Sequence, residues 1–73
     1  MPETIHADLA ANVWKILVQA GDTVEEDATI AILESMKMEI PVLTESSGTI
    51  VAVHVAEGEM VSPGQAIADI ETS

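Results

Sequence analysis

The sequence predicts an all-β fold: a flattened barrel or sandwich of two small antiparallel sheets, related by a pseudo-twofold internal repeat. Three observations predict it. First, a shift of 37 residues lays one half of the chain over the other. Second, no window shows sustained apolar spacing at the helical period with caps at its ends. Third, the packing residues are Val, Ile, Leu, Met and Ala, with one Trp and no Phe or Tyr. Small and β-branched side chains suit thin sheets packed face to face. At 73 residues the chain is read as one domain, residues 1–73, near the lower size limit for a self-sufficient core.

The elements follow in chain order. A first strand fits residues 4–8. Residues 13–18, "VWKILV", form the next, and residues 50–55, "IVAVHV", repeat it. Gly21-Asp22 and Gly58-Glu59 are matched turns whose glycines supply positive φ. Val24 and Val61 follow as short apolar points. "EEDA" (25–28) and "SPGQ" (62–65) are the second turns, with Asp27 standing where the later half has Gly64. Asp is among the few non-glycine residues that tolerate a left-handed backbone. "TIAILE" (29–34) and the matching strand that ends at Glu71 close each half, a further strand fits residues 40–44, and the strand of the second half that holds "IVAVHV" starts at residue 49.

Alternation assigns the faces. Trp14, Ile16 and Val18 share one parity, as do Val51, Val53 and Val55, while Lys15 and His54 fall on the parity that faces water. Val13 and Ile50 are apolar on that wet parity. A bulge near each strand start turns them inward. The orientation of Trp14 stays open.

Charge narrows the functions. Thirteen acidic residues stand against two lysines and no arginine, a formal net charge of −11. Two lysines cannot build the basic patch that nucleic acid or an anionic membrane surface requires. The acid excess serves solubility, or steering toward a basic partner. No cysteine is present, which excludes disulfides, zinc–thiolate sites and thiol nucleophiles. No apolar run reaches the roughly 20 residues of a membrane span. The first ten residues lack the basic and apolar segments of a signal peptide, so a cytoplasmic location is expected. His6 and His54 lack ligand partners at metal spacing, "EEDA" lacks the calcium-loop pattern, and no catalytic triad, phosphate loop or dinucleotide fingerprint occurs.

One stretch breaks the local rules. Residues 34–42, "ESMKMEIPV", join two strands without the Asn-Gly or Asp-Gly of a tight hairpin. A two-residue turn at Met36-Lys37 needs positive φ at both residues, at a cost of order 1–3 kcal/mol each. It also sets Glu34 against Glu39, two like charges across a strand pair. Two methionines near the tip forgo burial. Local rules fail where function or strain demands it. By the repeat, this turn lies at the end of the molecule opposite the chain termini. An ordinary surface lysine with methionines covering a barrel end is the plainer reading of the same residues.

The whole pattern resembles the biotinyl domain of the biotin/lipoyl attachment family. The resemblance rests on the Glu-Ser-Met-Lys-Met block, the Gly-acid turns with Val24 and Val61, and the Ser-Ser-Gly-Thr-Ile segment opening the second half. It covers nearly the whole chain. The fold it implies is the barrel-sandwich hybrid. Its implied site is Lys37, which carries covalent biotin attached by a biotin protein ligase, with Glu34, Met36 and Met38 as recognition residues. Lipoyl domains usually carry Asp-Lys-Ala here, so Met36 and Met38 favour biotin over lipoate. The family often has Gly near Ala11 and at the position of Asp27. A thumb insertion and an Ala/Pro-rich linker are missing, which fits the short stand-alone bacterial attachment proteins.

The implied function is a carrier without catalysis of its own. The ligase presents biotinyl-AMP, and the Lys37 amine attacks its carbonyl and expels AMP. An ordinary exposed lysine is neutral in about one copy in a few thousand at pH 7, so deprotonation falls to the ligase and the domain supplies position. Biotin then carries CO2 as carboxybiotin between a biotin carboxylase and a carboxyltransferase, with the tether raising effective concentration at both. Two other readings stand beside it: a lipoyl carrier in a 2-oxo acid dehydrogenase-type complex, and an unmodified acidic interaction module.

Overall fold

The computed structural model describes residues 2–72, which form eight β-strands and no helix. The strands are β1 (Pro2–His6), β2 (Ala11–Ile16), β3 (Thr23–Val24), β4 (Thr29–Ser35), β5 (Met38–Leu43), β6 (Gly48–Val53), β7 (Met60–Val61) and β8 (Ala66–Thr72). One sheet has the order β1-β8-β6-β3 and the other β5-β4-β2-β7, with every pair antiparallel. Each sheet therefore centres on one half of the chain. What the sequence did not reveal is the exchange of the two shortest strands. β3 leaves its own half to pair with β6, and β7 pairs with β2.

The exchange locks the halves together. The Gly21 amide donates to the Ile50 carbonyl, and the Gly58 amide donates to the Val13 carbonyl. The Ile50 amide donates to Asp22, and the Val13 amide to Glu59. Each Gly-acid turn is thus held by the other half's long strand. Both glycines have positive φ, as expected, at 99° and 91°.

The core is the repeat in side-chain form. Val13 and Ile50, Val24 and Val61, Ile30 and Ile67, Ala31 and Ala68, and Leu33 and Ile70 are all buried in pairs. Bulges also come in pairs. Trp14 is the extra residue where β2 passes β4, and Val51 is the extra residue where β6 passes β8. These bulges turn Val13 and Ile50 inward. They also correct the simple alternation. Trp14 and Val51 face water, at 46% and 49% exposure, because the bulge moves them to the outer face before Ile16 and Val53 return inward.

Two further details follow the sequence. Asp27 has φ 66°, doing in its turn what Gly64 does at 85°. The Asp27 amide donates to Thr44 and the Gly64 amide to Ala7 in the matched places. Strand bounds differ from expectation by one or two residues. The first strand is Pro2–His6 rather than 4–8, because its register is set by pairing with β8 from Pro2↔Glu71 onward.

Candidate functional site

The hairpin between β4 and β5 is as tight as a hairpin can be. Ser35 pairs with Met38, leaving Met36 and Lys37 as a two-residue loop. Their φ values are 52° and 66°, the left-handed signs that a type I′ turn demands. Gly or Asn would adopt them with less strain. Met36 and Lys37 hold them because the strands on both sides leave no alternative register: Leu33↔Ile40, Glu34↔Glu39 and Ser35↔Met38 run without a shift up to the turn. Leu33 is fully buried and Ile40 packs on the core, so slipping the register by one would expose the first.

The tip is wholly in solvent. Lys37, Glu34 and Glu39 are exposed, Met36 is 90% exposed and Met38 61%. Among the described residues, no hydrogen bond or ion pair holds the Lys37 amine or pairs the two glutamates. The residues expected at the site therefore come together: Glu34, Met36, Lys37 and Met38 share one hairpin. The other lysine, Lys15, lies on the β2 bulge with its amine 5.6 Å from the centre of the Trp14 ring.

Lys37 is not in a pocket. A groove of about 310 Å³ opens between the edge strands β1 and β5, over Leu33, Ile40, Val42 and Ile70, and none of residues 34–39 lines it. The amine offers reach rather than an enclosed reaction chamber. The pseudo-symmetric place of this turn is where the chain ends meet: Pro2 pairs with Glu71 as Glu39 pairs with Glu34. The fold has two equivalent ends, and one of them carries the lysine.

Two features were not read from the sequence. Asp69 accepts hydrogen bonds from Thr4 (Oγ1 to Oδ1, 2.8 Å) and bonds His54 (Nε2 to Oδ2, 3.0 Å) across the outer face of the β1-β8-β6-β3 sheet. The Thr4 bond first, then His54, hold the Asp69 carboxyl below its usual value. The cross-strand pairing of residues 65 apart gives no local signal. The second feature is the apolar outer face of the other sheet, visible only once the bulges set which side chains point out.

The Lys37 amine stands exposed on a strained two-residue turn, open to covalent modification. The family model described as "Biotin-requiring enzyme", the biotin/lipoyl model, matches residues 1–70. A biotin/lipoyl attachment protein of Bacillus subtilis is 41% identical over 70 residues, covering 96% of each chain. The biotin carboxyl carrier protein of Streptococcus mutans is 41% identical over 61 residues, covering 84% of this chain and 47% of its own, so the present chain spans about half of it. The crystal structure of Kluyveromyces lactis urea carboxylase superposes with a TM-score of 0.90 at 30% identity, over 97% of this chain and 6% of that one. The chain belongs to the biotin/lipoyl family of biotin-requiring proteins.

Proposed function

We propose that this protein is a non-catalytic carrier, biotinylated on the Nζ of Lys37 by a biotin protein ligase, that serves a biotin-dependent carboxylase. The observation that carries the reading is the hairpin itself: Lys37 stands exposed on a type I′ turn whose left-handed φ values are held by residues poorly suited to them. Such strain persists where the surrounding structure over-determines it.

The site fits the group. A biotinyl arm needs one primary amine, free of protein partners and clear of the fold, and Lys37 meets each condition. When bound, biotin supplies a ureido nitrogen able to carry CO2. The chain's own residues do three other things. The paired strands β4 and β5 fix where the amine projects, and an error of about 1 Å can cost a hundredfold in a positioned reaction. Leu33 and Ile40 hold the strands' register. Met36 and Met38 give the arm's root a soft apolar collar that can adapt to more than one partner surface.

The carboxylase role draws on relatives that are a carrier protein and part of a urea carboxylase. The test is avidin capture of the protein made in cells with an active ligase, followed by carboxylation with the components that co-purify. Capture of wild type and its loss in Lys37→Arg is the expected pair of results. Capture that survives Lys37→Arg overturns the assignment, and a lipoyl mass increment in place of biotin would replace the cofactor.

A further inference from the structure

The internal repeat provides a control inside one molecule. The two sheets have the same backbone, the same bulges and the same solvent on their outer faces. Their outward side chains should differ only by drift unless one face has a task.

They differ in kind. On the β5-β4-β2-β7 sheet the outward positions hold Trp14, Leu17, Ile32, Pro41, Leu43 and Met60. The matched positions on the other sheet hold Val51, His54, Asp69, Thr4, His6 and Thr23. These six positions are all apolar, while the same face also carries Lys15, which pairs with Ile32 and lies over the Trp14 ring, and Asn12, Glu34 and Glu39 toward the tip. Of their six counterparts only Val51 is apolar, and that face is tied by the Thr4–Asp69–His54 hydrogen bonds. Trp14 is 46% exposed, Leu17 49%, Leu43 45% and Met60 68%. The apolar face belongs to the sheet whose β4–β5 hairpin carries Lys37, and the row Met60–Asn12–Glu34–Glu39 joins it to the tip.

We propose that the biotin protein ligase docks on this face, with an apolar patch over Trp14, Leu17, Ile32 and Pro41 and a cationic group against the Glu34–Glu39 pair. The proposal rests on the reading of Lys37 as the acceptor. The ligase is the partner that meets the protein before any biotin arm exists. It must find Lys37, and pass over Lys15, which is also exposed, by protein surface alone. Later partners can recognise the arm. Charge complementarity points the same way: Glu34 and Glu39 face each other across the strands and form no ion pair within this chain among the described residues. A second copy is a poor occupant. Each copy carries a net charge of −11, so two copies repel one another.

The experiment is steady-state biotinylation of the unmodified protein by purified host ligase with biotin and ATP. The variant Trp14→Ser/Leu17→Ser is compared with its repeat-matched control, Val51→Ser/His54→Ser, and both are checked by thermal melting. Leu43→Ser is the second probe of the face should the double variant melt early. The expected result is a KM for the protein substrate raised about tenfold by the first change, with kcat held and the control at wild-type values. Wild-type KM in both Trp14→Ser/Leu17→Ser and Leu43→Ser overturns the proposal, as does an equal rise in the control. A wild-type dimer in sedimentation that dissociates on Trp14→Ser/Leu17→Ser gives the face to a second copy and overturns it too. Failure of wild type to accept biotin defeats the acceptor reading, and the docking site with it. That outcome differs from normal labelling that ignores the face.

Discussion

Replacing Met36 with Asn should make the protein more stable and a worse substrate. Met36 sits at φ 52°, in a region that costs an ordinary L-residue about 1–2 kcal/mol. Asn tolerates it and is favoured at this position of a type I′ turn. Little is lost in exchange. Met36 is 90% exposed, so about a tenth of a buried methionine's worth is forfeited, roughly 0.2 kcal/mol. The balance is a stabilisation of about 0.5–1 kcal/mol. For a domain of this size that raises Tm by roughly 2–8 °C, readable by circular dichroism melts. In the same preparation, biotinylation slows if Met36 contacts the ligase, a stability–activity trade-off. A Tm that stays put or falls for Met36→Asn refutes the reasoning. It would mean that the turn is unstrained, or that the methionine supports the fold in a way its exposure does not reveal.

Three further outcomes are expected. Gly48→Ala places a Cβ against the Glu71 carbonyl, with Thr72 Cα 3.0 Å away; backbone cannot move aside cheaply, and a loss of about 1–3 kcal/mol is expected in urea melts, with an unchanged midpoint counting against it. Thr4→Val removes the main cause of the lowered Asp69 carboxyl. A carboxylate held low in the folded state stabilises above its unfolded value, and that contribution is lost as pH falls through the folded one; in Thr4→Val the loss starts at higher pH, and an Asp69 carboxyl NMR titration identical to wild type excludes the coupling. The exchange Met36→Lys with Lys37→Met moves the amine by one residue on the same turn and should abolish labelling; efficient biotinylation of that double variant shows that fixed projection is not required.

Much of the fold could be read because the chain states it twice. The matched pairs Val24/Val61, Ile30/Ile67 and Leu33/Ile70 are core pairs in the structure, and the turn glycines Gly21 and Gly58 have the positive φ expected of them. The hairpin was legible through its faults: methionines and a lysine where Asn-Gly belongs. The exchange of β3 and β7 was not, because two-residue strands carry no period and choose partners through long-range backbone bonds. The face of Val51 was misread because alternation counts residues, while the bulge inserts one without a partner. The Asp69 network and the apolar outer face depend on which side chains meet across strands, and that is fixed by register rather than by local composition.

The central claim is that this fold exists to hold one particular amine out for biotin. Protein labelled by ligase, biotin and ATP, then digested and mapped by peptide mass spectrometry, tests it most directly. The account predicts a single biotinyl increment on the peptide containing Lys37 and none on that containing Lys15. An increment on Lys15, or on both lysines alike, contradicts it.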